Sequence, residues 1–354
     1  MRRIKLPGLI DPHVHLRDPG QTQKEDLFTG TAAALAGGFT CVLDMPNNNI
    51  PITSLQLLNE KIKEAKKKIV CDIGFYAGTV GEDLHELARM EPFVFGLKLY
   101  FNHTTGNFII DKKKYKTIFS AWKSAKPILV HAEEDVLAQV LHVVKETGKR
   151  VHVCHVSNKA QLALIIHAKE QNLPVTCGVT PHHLFLTEND LPTLHSFGRM
   201  KPVLGTTADV RFLWKNMTYI DVIESDHAPH TIVEKEEDPA PFGVPGLETT
   251  LPLLLTAVYE KRITLERVIE LCYTNSKKIF RIKTSSQTWS EIDLKETYTI
   301  DNKKLLTKCG WSPFHGYTVT GKVKQVILRG KSVFDDNNQL SVNPGFGKYL
   351  CPTN

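Results

Sequence analysis

Ile128-Leu129-Val130-His131 and Val151-His152-Val153-Cys154-His155 flank a helix-patterned run at 135–146. Each apolar, β-branched run closes on a histidine, and the stretch between them is long enough for a parallel crossover rather than a hairpin. The same unit recurs to either side. Strand-like cores lie at 8–12, 39–44, 69–76, 94–99, 128–130, 151–153, 175–178 and 220–224. Helical patterns follow most of them, at 26–36, 54–66, 112–123, 135–146, 159–171 and 248–260. Eight strand–helix repeats predict an α/β fold with a parallel sheet, most economically closed into a (β/α)8 TIM-type barrel. No GxGxxG follows the first strand, so an open doubly wound sheet lacks support.

Beyond about residue 283 the pattern changes to short strands, at 293–300 and 321–334, with turn residues at Arg329-Gly330-Lys331 and 335–338. Together with 2–6 these predict a small β domain on the barrel, giving 1–8 plus 283–354 as one unit and 9–282 as the other.

Composition narrows the function classes. The chain has 354 residues and a net charge of +6, carried largely by lysines on predicted helix surfaces such as 61–68, which reads as a solvated face. Basic and aromatic residues do not interleave as in a nucleic-acid groove, so no nucleic-acid partner is expected. No stretch is long and apolar enough to span a bilayer, so no membrane partner is expected either. The seven cysteines are odd in number and form no CxxC pair, so we expect free thiols and a cytoplasmic location.

The unusual residues gather where a barrel keeps its chemistry, at the C-terminal ends of the strands. His13 and His15 end the first strand, Asn47 follows the second, and Lys98 lies in the fourth. His131 ends the fifth, His155 the sixth, His182 and His183 follow the seventh, and Asp226 ends the eighth. An HxH pair in a strand puts both imidazoles on one face, able to chelate one ion. Any one of these histidines alone would be a packed rim residue; their recurrence at one place in successive units argues for a metal centre. A lysine among cations should lose its proton, and the neutral amine can capture CO2 to become a bridging carbamate. Imidazole with carboxylate favours Zn2+.

These residues also fall within motifs that resemble dihydroorotases of the amidohydrolase superfamily: Asp11-Pro12-His13-Val14-His15-Leu16-Arg17-Asp18-Pro19-Gly20, Met45-Pro46-Asn47, Gly96-Leu97-Lys98-Leu99-Tyr100, Val130-His131-Ala132-Glu133, Ser225-Asp226-His227-Ala228-Pro229-His230 and Pro245-Gly246-Leu247-Glu248-Thr249. The likeness runs through the tail Trp311-Ser312-Pro313-Phe314-His315-Gly316 and is greatest to the dihydroorotase domain of the multifunctional pyrimidine-synthesis protein. It implies zinc-dependent, reversible cyclisation of N-carbamoyl-L-aspartate to L-dihydroorotate, in pyrimidine biosynthesis. It implies two Zn2+ bridged by carboxylated Lys98, one held by His13, His15 and Asp226 and the other by His131 and His155, with Asp226 also moving protons. Arg17, Asn47, His230, Lys201 and the main chain at Pro245 and Gly246 would hold the substrate, and Thr104 and Thr105 on a lid at 101–107 would reach it. Asn48 stands where the family usually has threonine. Cys154 and His183 match positions that hold a further zinc in a relative, but Gly178 replaces the acidic partner, which argues against that site here. Homodimerisation and a complex with an aspartate transcarbamoylase are left open. The alternatives are an allantoinase- or dihydropyrimidinase-type cyclic amide hydrolase, which would not need Arg17, and a non-catalytic scaffold, which would not keep all six ligands.

Overall fold

A computed structural model describes residues 3–102, 108–337 and 339–352. Two short strands at the start of the chain, β1 (Arg3–Pro7) and β2 (Leu9–Val14), go to different sheets. The barrel strands are β2, β3 (Phe39–Asp44), β4 (Asp72–Phe75), β5 (Ala77–Gly78), β6 (Leu97–Tyr100), β7 (Ile128–His131), β8 (Val151–Val153), β9 (Val175–Val179) and β10 (Val222–Ile223). β4 and β5 are one staggered strand broken at Tyr76: β4 pairs with β3, β5 with β6, and Tyr76 Oη donates to Pro12 O at 2.8 Å. All neighbouring pairs are parallel. The ring closes where Val14 bridges His227 and His15 N donates to His227 O at 2.8 Å. Eight strands therefore make the predicted barrel.

The strands are buried on both faces, and their side chains sort by alternation. Ile10, Cys41, Leu43, Leu129, Cys154 and Val222 form one cluster around the barrel axis with Phe280. Leu9, Val42, Leu97, Leu99, Val130, Val151 and Val153 join the outer core against the helices. Those helices start where side chains can satisfy free N–H groups: Asp26 caps Leu27–Ala36 with a reciprocal bond from Thr29, and Asn158 caps Lys159–Glu170. The helix Glu134–Thr147 stops at Gly148, whose φ of 64° favours glycine.

Differences from the expected elements are local. The helix expected at 112–123 is a 3-10 turn, Lys112–Lys114, followed by Tyr115–Ala121. A helix at Thr207–Lys215, capped by Thr206, had not been expected. Lys61 is not on a solvated face: it is 1% exposed, with Nζ 2.7 Å from Asp44 Oδ2 and donating to Asn48 Oδ1 at 2.7 Å. A buried carboxylate at the end of β3 makes a partnered ammonium the lower-energy neighbour. Lys63, Lys66 and Lys67 are exposed as expected.

The second sheet has the order β1, β11 (Trp289–Thr299), β12 (Thr318–Leu328), β13 (Lys331–Asp335), β14 (Gln339–Leu340), all antiparallel. β1 pairs Arg3–Pro7 against Trp289–Asp293, as expected of the two termini. Ile292, Val323, Val326 and Phe334 share a continuous core with Leu35, Leu251 and Leu255 of the barrel helices. All seven cysteines are free, and six are buried. No helix among the described residues is long and apolar enough to cross a membrane.

Candidate active site

Four backbone features turn the side chains toward the mouth of the barrel. In β2 three residues (Asp11 to Val14) span the same distance as two in β3 (Val42 to Asp44). This bulge reverses the alternation, so Val14 joins the outer core while His13 and His15 face the axis. The other three are left-handed residues without the usual glycine: Arg17 at φ 62°, His155 at φ 39° and Asp226 at φ 45°. Alternation in β8 would send His155 outward with Val153, and the left-handed turn re-aims it. Such conformations cost about 1–2 kcal/mol each and cluster at functional sites. Lys98 and Tyr100 on β6 and His131 on β7 face inward by simple alternation.

The six expected ligands converge. Nε2 of His13 and of His15 lie 3.3 and 3.1 Å from Asp226 Oδ1. His131 Nδ1 is 3.0 Å from His155 Nε2, and the His13 and His155 ring centroids are 5.2 Å apart. Lys98 is fully buried, with Nζ 3.2 Å from Cys154 Sγ and 4.9 Å from the Tyr100 ring centre. Burial, reinforced by Lys98, lowers His13 to about 4, and burial also depresses His15, His131 and His155, which favours the neutral imidazole that ligates metal. Burial works against the Asp226 carboxylate, but the surrounding imidazoles outweigh it and hold the group well below the usual range.

A metal fits this donor set. Nδ1 of His155 is buried without a hydrogen-bond partner, and both nitrogens of His13 and Nε2 of His131 reach carboxylate oxygens only at 3.3 to 3.5 Å, a cost that an ion would reduce. His13, His15 and Asp226 have ligand atoms all within 4.8 Å of one another, and so do His13, Cys154 and Glu224. The second group is distinct from the Cys154 and His183 site that Gly178 argues against. A Cβ at residue 178 would lie 2.5 Å from the Glu224 carboxyl carbon, so glycine there leaves room for that side chain. His183 is not part of that group; its ring bonds Thr180 Oγ1 and Pro202 O.

The expected substrate contacts are placed unevenly. Arg17, Asn47 and Lys201 line the same cleft as His13, His15, His131, His155 and Asp226, joined by Tyr100, Ala228, Phe242 and Gly243. Arg17 is buried, and its Nε donates to Pro229 O at 3.1 Å. Asn47 Oδ1 lies 2.7 Å from His15 Nδ1, which fixes the tautomer that leaves Nε2 free for an ion. His230 stands behind Arg17, 3.3 Å from its Nη2, held between Lys24 Nζ and Phe242 O. Pro245 and Gly246 are not among the residues that line the cleft. Thr104 and Thr105 lie outside the described residues. The cleft holds ≈20 Å3 of free space, room for about one water. Tyr100 had not been singled out, although its place two residues after Lys98 puts it on the same face; its Oη is buried and unpartnered.

Comparison with known proteins agrees with this geometry. Residues 4–177 match the model of the amidohydrolase family. Multifunctional protein CAD of Squalus acanthias is 43% identical over 347 residues, covering 98% of this chain but 15% of that protein. The chain likewise spans 16% of multifunctional protein pyr1-3 of Dictyostelium discoideum, at 41% identity. A dihydroorotase of Pyrococcus abyssi is 37% identical over 366 residues, 96% of this chain and 85% of that one. Among solved structures, L-hydantoinase of Arthrobacter aurescens superposes with a TM-score of 0.93 at 26% identity, over 99% of this chain and 89% of that one. The inactive dihydroorotase-like domain of a Chaetomium thermophilum CAD-like protein superposes at 0.85 with 28% identity, over 99% and 100%. With its barrel and inward-facing histidines, the chain belongs to the dihydroorotases of the amidohydrolase family.

Proposed function

We propose that this chain catalyses the reversible ring closure of N-carbamoyl-L-aspartate to L-dihydroorotate. The observation that carries the reading is the convergence of His13, His15, His131, His155 and Asp226 on one cleft that Arg17 also lines. His13, His15 and Asp226 would hold one Zn2+, His131 and His155 a second, with Lys98 as its carbamate between them. Bound ions would supply Lewis acidity, easing deprotonation of water and polarising the scissile carbonyl.

The chain's own groups do the rest. In the hydrolytic direction Asp226 accepts the proton of the attacking water and returns it to the ring nitrogen as the amide bond breaks. Arg17 offers a guanidinium to the substrate carboxylate, a geometry that a point charge cannot match. Lys201 adds positive charge at the rim. Ring closure consumes a proton, so lower pH favours dihydroorotate. The free, buried thiols support a cytoplasmic setting. The likeness to multifunctional relatives makes a transcarbamoylase a reasonable partner to test by co-purification.

Dihydroorotate hydrolysis and metal content, measured on wild type and Lys98→Ala, test the reading. We expect turnover in the wild type, and a loss of at least about 100-fold with reduced metal in the variant. Metal-free, inactive wild-type protein would instead support a scaffold, and hydrolysis of hydantoins but not dihydroorotate would reassign the substrate.

A further inference from the structure

We propose that His227 and Glu25 form a positioning pair that sets the main chain at Gly246, and that the C-terminal segment 306–308 locks this pair in place. The His227 ring is buried, and its Nδ1 accepts from the N–H of Gly246 at 3.2 Å, with the N–H of Leu247 at 3.5 Å. Those groups can only donate, so the ring proton sits on Nε2, which donates to Glu25 Oε2 at 3.2 Å. Gly246 begins the helix Leu247–Tyr259 and has no side chain to cap it. The imidazole does the capping instead, and packing is close enough that a Cβ at 246 would meet Ser225 O at 2.7 Å.

Glu25 is fully buried, where a carboxyl group needs hydrogen-bond partners. Beyond His227 it accepts from Lys308 N at 3.2 and 3.3 Å and from Thr307 Oγ1. Glu248, in the first turn of the same helix, accepts from Leu306 N at 2.8 Å and Thr307 N at 3.0 Å. Two acidic side chains thus tie segment 306–308 to the barrel, and Glu25 orients the imidazole that follows Asp226. The segment therefore acts on the mouth of the barrel through Glu25 and His227, without touching the cleft. The kinetic consequence rests on the dihydroorotase reading; the structural one does not.

The test uses the full chain with two substitutions of His227. His227→Asn keeps an acceptor near the place of Nδ1, whereas His227→Phe keeps a ring but neither donor nor acceptor. Amide exchange at Gly246 and Leu247 should quicken about tenfold in His227→Phe, the worth of one hydrogen bond, and stay near wild type in His227→Asn. KM for dihydroorotate should follow the same order, with kcat and bound metal moving less. Exchange unchanged in His227→Phe, or equally fast in both variants, overturns the proposal. If His227→Phe does not fold, Glu25→Gln decides, with quicker exchange at Gly246 expected and unchanged exchange fatal. A wild type without dihydroorotate turnover counts against the substrate assignment alone, since the exchange contrast stands independently.

Discussion

At the scale of single residues, Arg17 shows what a sequence motif conveys and what it omits. Its position two after an HxH pair is legible, but its left-handed backbone and the support from Pro229 O and His230 are long-range facts. A lysine at this position would have to choose between Pro229 O and the substrate. We expect Arg17→Lys to cost about 2 kcal/mol of transition-state binding, a roughly 30-fold fall in kcat/KM for dihydroorotate carried by KM. An unchanged KM would remove Arg17 from the carboxylate contact. The inward positions of His131 and Lys98 were readable because they follow from strand alternation. Tyr100 and Glu224 were not, since tyrosine is ordinary in strands and a buried glutamate is recognised only beside its partners. Glu224 makes sense once Gly178 is seen to leave it space.

At the scale of elements, strand and helix order was legible because periodicity is local, and most strand bounds shifted by only a few residues. The bulge in β2 was not legible, because a bulge is a property of two paired strands rather than of one. Nor was the burial of Lys61, since a lysine in a run of lysines carries no mark of its partner. Lys61 ties the helix Leu55–Lys68 to Asp44 and to the loop carrying Asn47 and Asn48; Asp44 Oδ1 also accepts from Leu16 N at 2.8 Å, beside Arg17. Removing one member of a buried ion pair leaves a bare charge. We therefore expect Lys61→Met to destabilise by about 3–5 kcal/mol in urea unfolding, with a second change, Asp44→Asn, recovering part of it. Additive losses would show that the two residues do not act as a pair.

At the scale of the molecule, barrel and terminal sheet share one core, and the seam between them contains a cavity of ≈360 Å3 lined by Glu248, Pro252, Tyr298, Lys322 and Phe334. Burial pushes the Glu248 carboxyl up to about 8. Between the usual carboxylate range and pH 8 the folded chain thus binds more protons than the unfolded one, so this group makes stability fall as pH rises. Glu248→Gln should flatten that fall, narrowing the difference between unfolding free energies at pH 6 and pH 9; a slope unchanged from wild type would place the carboxyl in water. The terminal sheet itself was foreseen from its turns, but its register was not, because β1 meets β11 only across the whole barrel. That pairing joins residues almost three hundred positions apart. On a ribosome adding about ten residues per second, β1 waits roughly half a minute for β11 to emerge. Throughout that interval its backbone is an open edge, and a chaperone or a neighbouring nascent chain can reach it first.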